Sequence, residues 1–303
     1  MTINIAVAVA EGLVMAADSM TAVNLPNGSV LKNYPTGEKL TELADLPIAA
    51  MVWGRGAIEN RSIISLIREF EFDSLRSGKK TAPSKVPDVA GALADFIAKK
   101  YDVANWGTQP QPQPGQPPQP WPPSLGVVVG GYSPGEFFPQ VYEILFPGKQ
   151  VNCKHPLKDK PPGSPSVTWW GAAMPLNRLV LGFDLNELTQ AYEQVKNPAY
   201  QARLKAAGQP IPTVPSAPPN TCLPPLASLV GMKVVLDYMP LQEAIEFAEY
   251  LGEVTIGFSR FTWGVQIVGG RLDILAIQPE GLSWYKRKRF AAKMAEARSR
   301  ARA

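Results

Sequence analysis

Strand-like and helix-like segments arrive in blocks along this chain, and that order argues against an alternating parallel sheet. Thr2 to Val9 is rich in β-branched residues, Glu11-Gly12 supplies a turn, and Leu13 to Ala17 is a second apolar run, so a hairpin begins at the first residues. Lys39 to Leu43 and Pro47 to Trp53 read as a second strand pair around the turn-like Ala44-Asp45-Leu46. Helical spacing follows in Ala57 to Leu75 (Ile58, Ile63, Ile64, Ile67, Phe70) and in Pro87 to Lys100 (Val89, Leu93, Phe96, Ile97). Strands return at Leu125 to Val129, Gln140 to Phe146 and Val167 to Trp170, with Gly130-Gly131-Tyr132-Ser133-Pro134-Gly135 as the turn between the first two. Helical patterns cover Pro175 to Phe183, Leu185 to Leu204, Ala227 to Tyr238 and Leu241 to Phe258, and strands close the series at Gly264 to Val268 and Leu272 to Ile277. The expected fold class is α+β, a four-layer αββα sandwich with proline-rich loop insertions.

Gln109 to Pro123 is almost entirely Pro and Gln, and Gln209 to Pro225 is a second proline-rich interruption; such composition favours extended polyproline II and builds no packed core. One domain is therefore expected over residues 1–285, with inserted loops at about 105–124, 148–166 and 207–225, followed by a basic C-terminal tail at 286–303. At 303 residues, 45% hydrophobic and 18% charged, the chain can bury a sizeable core. No apolar run approaches the roughly 18 residues of a membrane span, and no leader pattern precedes the first strand, so a cytoplasmic protein with no membrane partner is expected.

Residue chemistry narrows the function. Cys153 and Cys222 lie in loop-like sequence with neither a disulfide framework nor a metal-ligand spacing. His155, in what reads as a surface loop, is the single histidine, which excludes chemistry needing several imidazoles. No metal or cofactor is called for. The net charge of +4 comes largely from Lys286-Arg287-Lys288-Arg289, Arg298, Arg300 and Arg302 in the tail, a solvated terminus that gives no reason to expect a nucleic-acid partner.

A hydrolase can dispense with histidine if its first residue is threonine. The hydroxyl is a poor nucleophile near neutral pH and needs a base. A free α-amine on the same residue, with an unperturbed pKa of about 7.7–8.0, is partly neutral at working pH and can be that base. Thr2, directly after Met1, is small enough to permit removal of the methionine.

The segment from Thr2 through Glu11-Gly12-Leu13 to Ala16-Ala17-Asp18-Ser19 resembles the opening of proteasome β subunits, which are N-terminal-nucleophile hydrolases and include bacterial proteasome-like members. The resemblance implies that Asp18 matches the family's active-site aspartate. Lys32-Asn33-Tyr34-Pro35-Thr36-Gly37-Glu38-Lys39-Leu40 resembles its Lys-Asn segment and maps Lys39 to the catalytic lysine. Pro47 to Gly54 resembles the strand whose final glycine amide is the oxyanion donor, which assigns Gly54, and Val52 matches a position that shapes the first substrate pocket. Lys39 would lower the hydroxyl pKa, Asp18 would hold Lys39 charged and oriented, and Gly54 N–H would stabilise the oxyanion. Gly126 to Tyr132 and Gly269 to Ile274 resemble two later strands of the family, more weakly. The implied function is a threonine-type peptidase in a homo-oligomeric ring, acting on peptides or unfolded protein.

Two departures bear on activity. Active family members carry a Gly-Ser-Gly serine that binds the terminal amine, and the matching stretch here, Trp170-Gly171-Ala172-Ala173, has Ala172 in its place. The aspartate and serine expected shortly before the late Gly-Gly are also missing, with Ser259 and Thr262 as candidate substitutes. The same residues therefore leave two alternatives open: a small-molecule amidase of the same fold, and a non-catalytic assembly protein that keeps Thr2, Asp18 and Lys39 as structure.

Overall fold

The computed structural model describes residues 2–24, 30–76, 83–107, 121–155, 164–211, 232–263 and 265–287. The described residues form two compact units: Met1–Ala172 with Leu236–Ala303, and Ala173–Val235. Cys222 and most of the expected inserts at 105–124 and 207–225 and of the expected tail lie outside the described residues.

The first unit holds two five-stranded antiparallel sheets. One has the order β12-β1-β2-β13-β14 and contains β1 (Ile3–Val9), β2 (Gly12–Ala17), β12 (Ser166–Gly171), β13 (Asp273–Gln278) and β14 (Gly281–Lys286). The other has the order β11-β10-β9-β6-β5 and contains β5 (Leu40–Glu42), β6 (Ile48–Gly54), β9 (Leu125–Gly131), β10 (Gln140–Phe146) and β11 (Gln150–His155). Two short ladders, β3 (Thr21–Asn24) with β4 (Val30–Tyr34) and β7 (Ala57–Ile58) with β8 (Arg61–Ser62), stand apart.

Side-chain size along β1 shows why the sheets pack as they do. Ile3, Ile5, Val7 and Val9 share one side, and Asn4, Ala6 and Ala8 share the other, yet every residue is buried. The small side faces a core shared with Met15, Met51, Val128, Trp170 and Leu275, so short side chains on β1 leave room for long ones from the second sheet. Helices supply the remaining cover. α1 (Ile63–Phe70), capped by Ser62 Oγ accepting the Ser65 N–H and continued by a π turn at Glu71–Leu75, packs with α2 (Val86–Val103) on β6, β9 and β10. In the second unit, α3 (Met174–Leu176) runs into a π turn at Asn177–Leu181, then α4 (Leu185–Lys196) and α5 (Pro198–Ala206). The break between the last two falls at Asn197-Pro198, where Asn197 Oδ1 caps the second helix through the Ala199 N–H.

α6 (Leu241–Phe261) turns Ala244, Ile245, Ala248, Leu251, Gly252 and Thr255 onto β1, β2 and β13. Its first turn is held by Glu11, whose carboxylate accepts the Leu241 N–H at 2.8 Å. No described helix is long and apolar enough to cross a membrane. The architecture is thus mixed α+β with antiparallel sheets.

Several expected elements are corrected. The helix over 57–75 starts only at Ile63, because Ala57 to Ser62 pair as a ladder. The loop at 148–166 contains β11, which places Cys153 and His155 in a strand. Residues 265–268 form no strand; Ser259 Oγ, on α6, accepts the N–H groups of Ile267 and Val268 and ties that segment to the helix. Within the helix expected over 227–238, the described residues 232–238 are not helical. The tail expected from 286 begins inside β14, where Lys286 is ion-paired with Glu249. The ladder β3–β4 was not expected: its faces carry no apolar alternation, and Val23, Leu31 and Tyr34 are exposed.

Candidate active site

Thr2 sits at the mouth of β1, 5% exposed, with its carbonyl accepting the Ala172 N–H at 2.7 Å. Gly171, paired with Ile3, makes this approach possible: its φ is +91°, and a Cβ there would lie 1.9 Å from the Thr2 oxygen. Thr2 is therefore fixed by backbone on the β12 side.

On the β2 side the anchor is Asp18, which follows the strand directly. Its N–H donates to the Ile3 carbonyl, and its Oδ1 accepts the Ile3 N–H at 3.0 Å. Oδ2 accepts N–H groups from Gly269 at 3.0 Å and Met20 at 3.3 Å. Lys39 Nζ completes the set at 2.7 Å from Oδ1. The carboxylate is wholly withdrawn from solvent and Lys39 is only 7% exposed, so an ion pair here persists because four donors replace the lost hydration of the carboxylate. The Gly-Gly segment earns its composition at this point. A Cβ on Gly270, whose φ is +77°, would meet Ser19 Oγ at 2.3 Å and the Pro35 carbonyl at 2.5 Å. Ser19 Oγ itself accepts the Arg271 N–H and donates to the Pro35 carbonyl, which fastens this loop beside Asp18.

Gly54 closes β6 at φ +77°, where a Cβ would lie 2.6 Å from the Ser124 carbonyl. The Val52 N–H donates to the Lys39 carbonyl, and amides alternate sides along a strand, so Gly54 N–H points the same way as that of Val52, past the start of β5 at Leu40. That direction is the side of Lys39. An open cleft of ≈ 80 Å³ is lined by Thr2, Lys39, Val52 and Gly54, together with Met20, Thr21, Ala22, Glu38, Trp53, Gly56 and Ile64. Glu38 in this wall is ion-paired with Arg68 of α1.

The structure thus brings Thr2, Asp18, Lys39, Val52 and Gly54 together. It does not bring Ser259 or Thr262 into their hydrogen bonding: Ser259 is committed to Ile267 and Val268, and Thr262 Oγ1 donates to the Phe258 carbonyl. Ala172 donates its N–H to the Thr2 carbonyl and has no side-chain hydroxyl to offer. Thr21, Ala22, Trp53 and Ile64 also form cleft wall, a role their sequence does not announce, because β3 carries no recognisable strand pattern and Trp53 and Ile64 fall in apolar core patterns. Among the described residues no cluster of His, Cys, Asp and Glu could hold a metal ion.

No protein-family model matches this chain, and no curated protein matches it in sequence. The fold is similar to that of the (Gly-1) mutant of Anbu from Hyphomicrobium sp. strain MC1, at 13% sequence identity, over 99% of this chain and 94% of that one, with a TM-score of 0.51. At this identity the likeness is one of fold.

Proposed function

We propose that this protein is an N-terminal-nucleophile amide hydrolase, a threonine-type peptidase whose nucleophile is Thr2 after removal of Met1. The buried Lys39–Asp18 ion pair, in a cleft lined by Thr2 and Gly54, carries the reading. Thr2 Oγ1 attacks the scissile carbonyl and its proton passes to the α-amine, which then protonates the leaving nitrogen as the C–N bond breaks. Water hydrolyses the resulting ester by the same route in reverse. Lys39 favours the alkoxide electrostatically, Asp18 orients Lys39, and Gly54 N–H faces the developing oxyanion. The sequence helix, sheet, sheet, helix through the first unit supports the four-layer αββα sandwich, and a single domain over 1–285 with inserts is the organisation we favour. Exposed Phe261, Trp263 and Val265 support a homo-oligomer, with a cytoplasmic ring acting on peptides or unfolded protein as its finest form.

Two other readings each have an observation behind them. The open cleft admits a small-molecule amide as readily as a peptide. Ala172, which gives the amine of Thr2 no side-chain partner, favours a non-catalytic assembly protein. Labelling by a peptide epoxyketone, which bonds both hydroxyl and amine of a terminal threonine, followed by turnover on peptide and small-amide panels, separates the three. Labelling with peptide turnover supports the peptidase, labelling with small-amide turnover the amidase, and absence of both the assembly protein.

A further inference from the structure

Asn4 is wholly buried, and neither its Oδ1 nor its Nδ2 has a hydrogen-bond partner among the described residues. It stands two residues past Thr2 on the same side of the strand, facing the core between the two sheets. Its cross-strand neighbours are Trp170 and Ala17, and neither satisfies the amide. A carboxamide is among the costlier neutral groups to bury unsatisfied, and a leucine would occupy this layer without that cost. An orphaned amide one step from a candidate nucleophile is better explained by the nucleophile than by packing.

Removal of Met1 creates a new polar group at this place, the α-amine of Thr2. Ala172 has no side-chain acceptor for it, and its N–H is already given to the Thr2 carbonyl. Asp18 accepts from Ile3, Met20, Gly269 and Lys39, and Ser259 and Thr262 are engaged within their own segment. Asn4 retains both acceptor and donor capacity.

We propose that Asn4 is a positioning residue of the Thr2 centre, whose carboxamide hydrogen-bonds the freed α-amine, directly or through one water, and holds it as proton acceptor for the hydroxyl. The inference rests on Thr2 being the nucleophile. An amide oxygen accepting from the α-ammonium favours the charged form, so it raises the pKa of the amine, and its loss lowers that pKa. The other charged groups facing this region are the Asp18–Lys39 pair, Glu38 with Arg68, and Asp273, which follows Ala17 in the same cross-strand row. They stay constant across Asn4 variants.

The test is the rate of epoxyketone labelling against pH for the full chain, its Asn4→Leu and its Asn4→Asp variants, with thermal midpoints. Asn4→Leu should melt no lower than wild type, lose Met1 normally, label at least about tenfold more slowly on the plateau, and move the acid limb to lower pH. Asn4→Asp should move that limb to higher pH, since a carboxylate stabilises the ammonium further. A purely structural role moves neither limb. Wild-type plateau rate with an unmoved limb in Asn4→Leu overturns the proposal; should that variant not fold, an unmoved limb in Asn4→Asp does so. A wild-type protein that lacks Met1 yet never labels refutes the nucleophile itself, and this proposal with it, and is told apart by the wild-type trace alone.

Discussion

Lys39 Nζ lies 2.7 Å from Asp18 Oδ1, and both side chains are almost wholly withdrawn from water. Removing either partner leaves the other charge buried, which costs about 3–5 kcal/mol. Lys39→Ala should therefore lower stability by that order in urea unfolding and abolish labelling of Thr2. Asp18→Asn should slow labelling less, since it orients the lysine without entering the chemistry. Equal, small effects of both on stability and labelling would contradict the assignment.

Gly171→Ala tests the backbone that seats Thr2. Its Cβ would fall 1.9 Å from the Thr2 oxygen at a φ of +91°, so Thr2 must shift or the β12 end must open. Strain and overlap together should cost about 2–4 kcal/mol, with labelling lost even in the fraction that remains folded. Normal labelling in Gly171→Ala would show that the Thr2 position is not set from this side.

The cleft wall points to substrate side chains. Met20, Ala22, Val52 and Ile64 are apolar, and the charge of Glu38 is met by Arg68. Cleavage after apolar residues is expected in a fluorogenic peptide panel, and Val52→Phe should raise KM for the larger ones by filling the cleft. A preference for acidic or basic residues would count against this wall as the first substrate pocket.

Tyr132 gives a pH signature away from the site. Its hydroxyl has no hydrogen-bond partner among the described residues, and burial, with the Glu280 carboxylate adding to it, pushes its pKa from 10.0 up to about 12. The folded state then holds a proton that the unfolded state has released, so stability is intact below pH 10 and falls as pH rises from about 10 to 12. Tyr132→Phe should leave stability at neutral pH unchanged or higher and remove that part of the alkaline slope. An identical slope in both proteins would show that Tyr132 does not titrate this way.

Assembly is checked by sedimentation of the full chain at micromolar concentration. Phe261 and Trp263 project at the end of α6, and burying such side chains against another copy is worth roughly 1.5–3 kcal/mol each. An oligomer is expected for wild type, weakened by Trp263→Glu. A sharp monomer for wild type would exclude the ring while leaving the fold untouched.

Much of the candidate site was legible through the resemblance that Thr2, Asp18, Lys39 and Gly54 carry, and these residues lie at strand ends or, for Lys39, just before a strand. What the sequence hid is the work of distant groups. Nothing in Gly269 announces that its amide reaches Asp18 across 251 residues, and Ser259 looks like a spare hydroxyl until two amides are found on it. The ladder β3–β4 escaped because it is exposed and lacks a buried face to impose alternation. Asn4 lies inside the first strand pattern, and only its burial without a partner sets it apart.

If Thr2 is the nucleophile, it is the first residue of the mature chain. An amide at its nitrogen cannot accept a proton near neutral pH, so Met1 must be gone from the active protein. Intact mass of the purified protein, before and after a peptide epoxyketone, measures both requirements at once. The expected result is a mass one methionine below that of the full sequence, a single stoichiometric adduct mapped to Thr2, and no adduct in Thr2→Ala. Full amide hydrolysis by a protein that retains Met1 would contradict it.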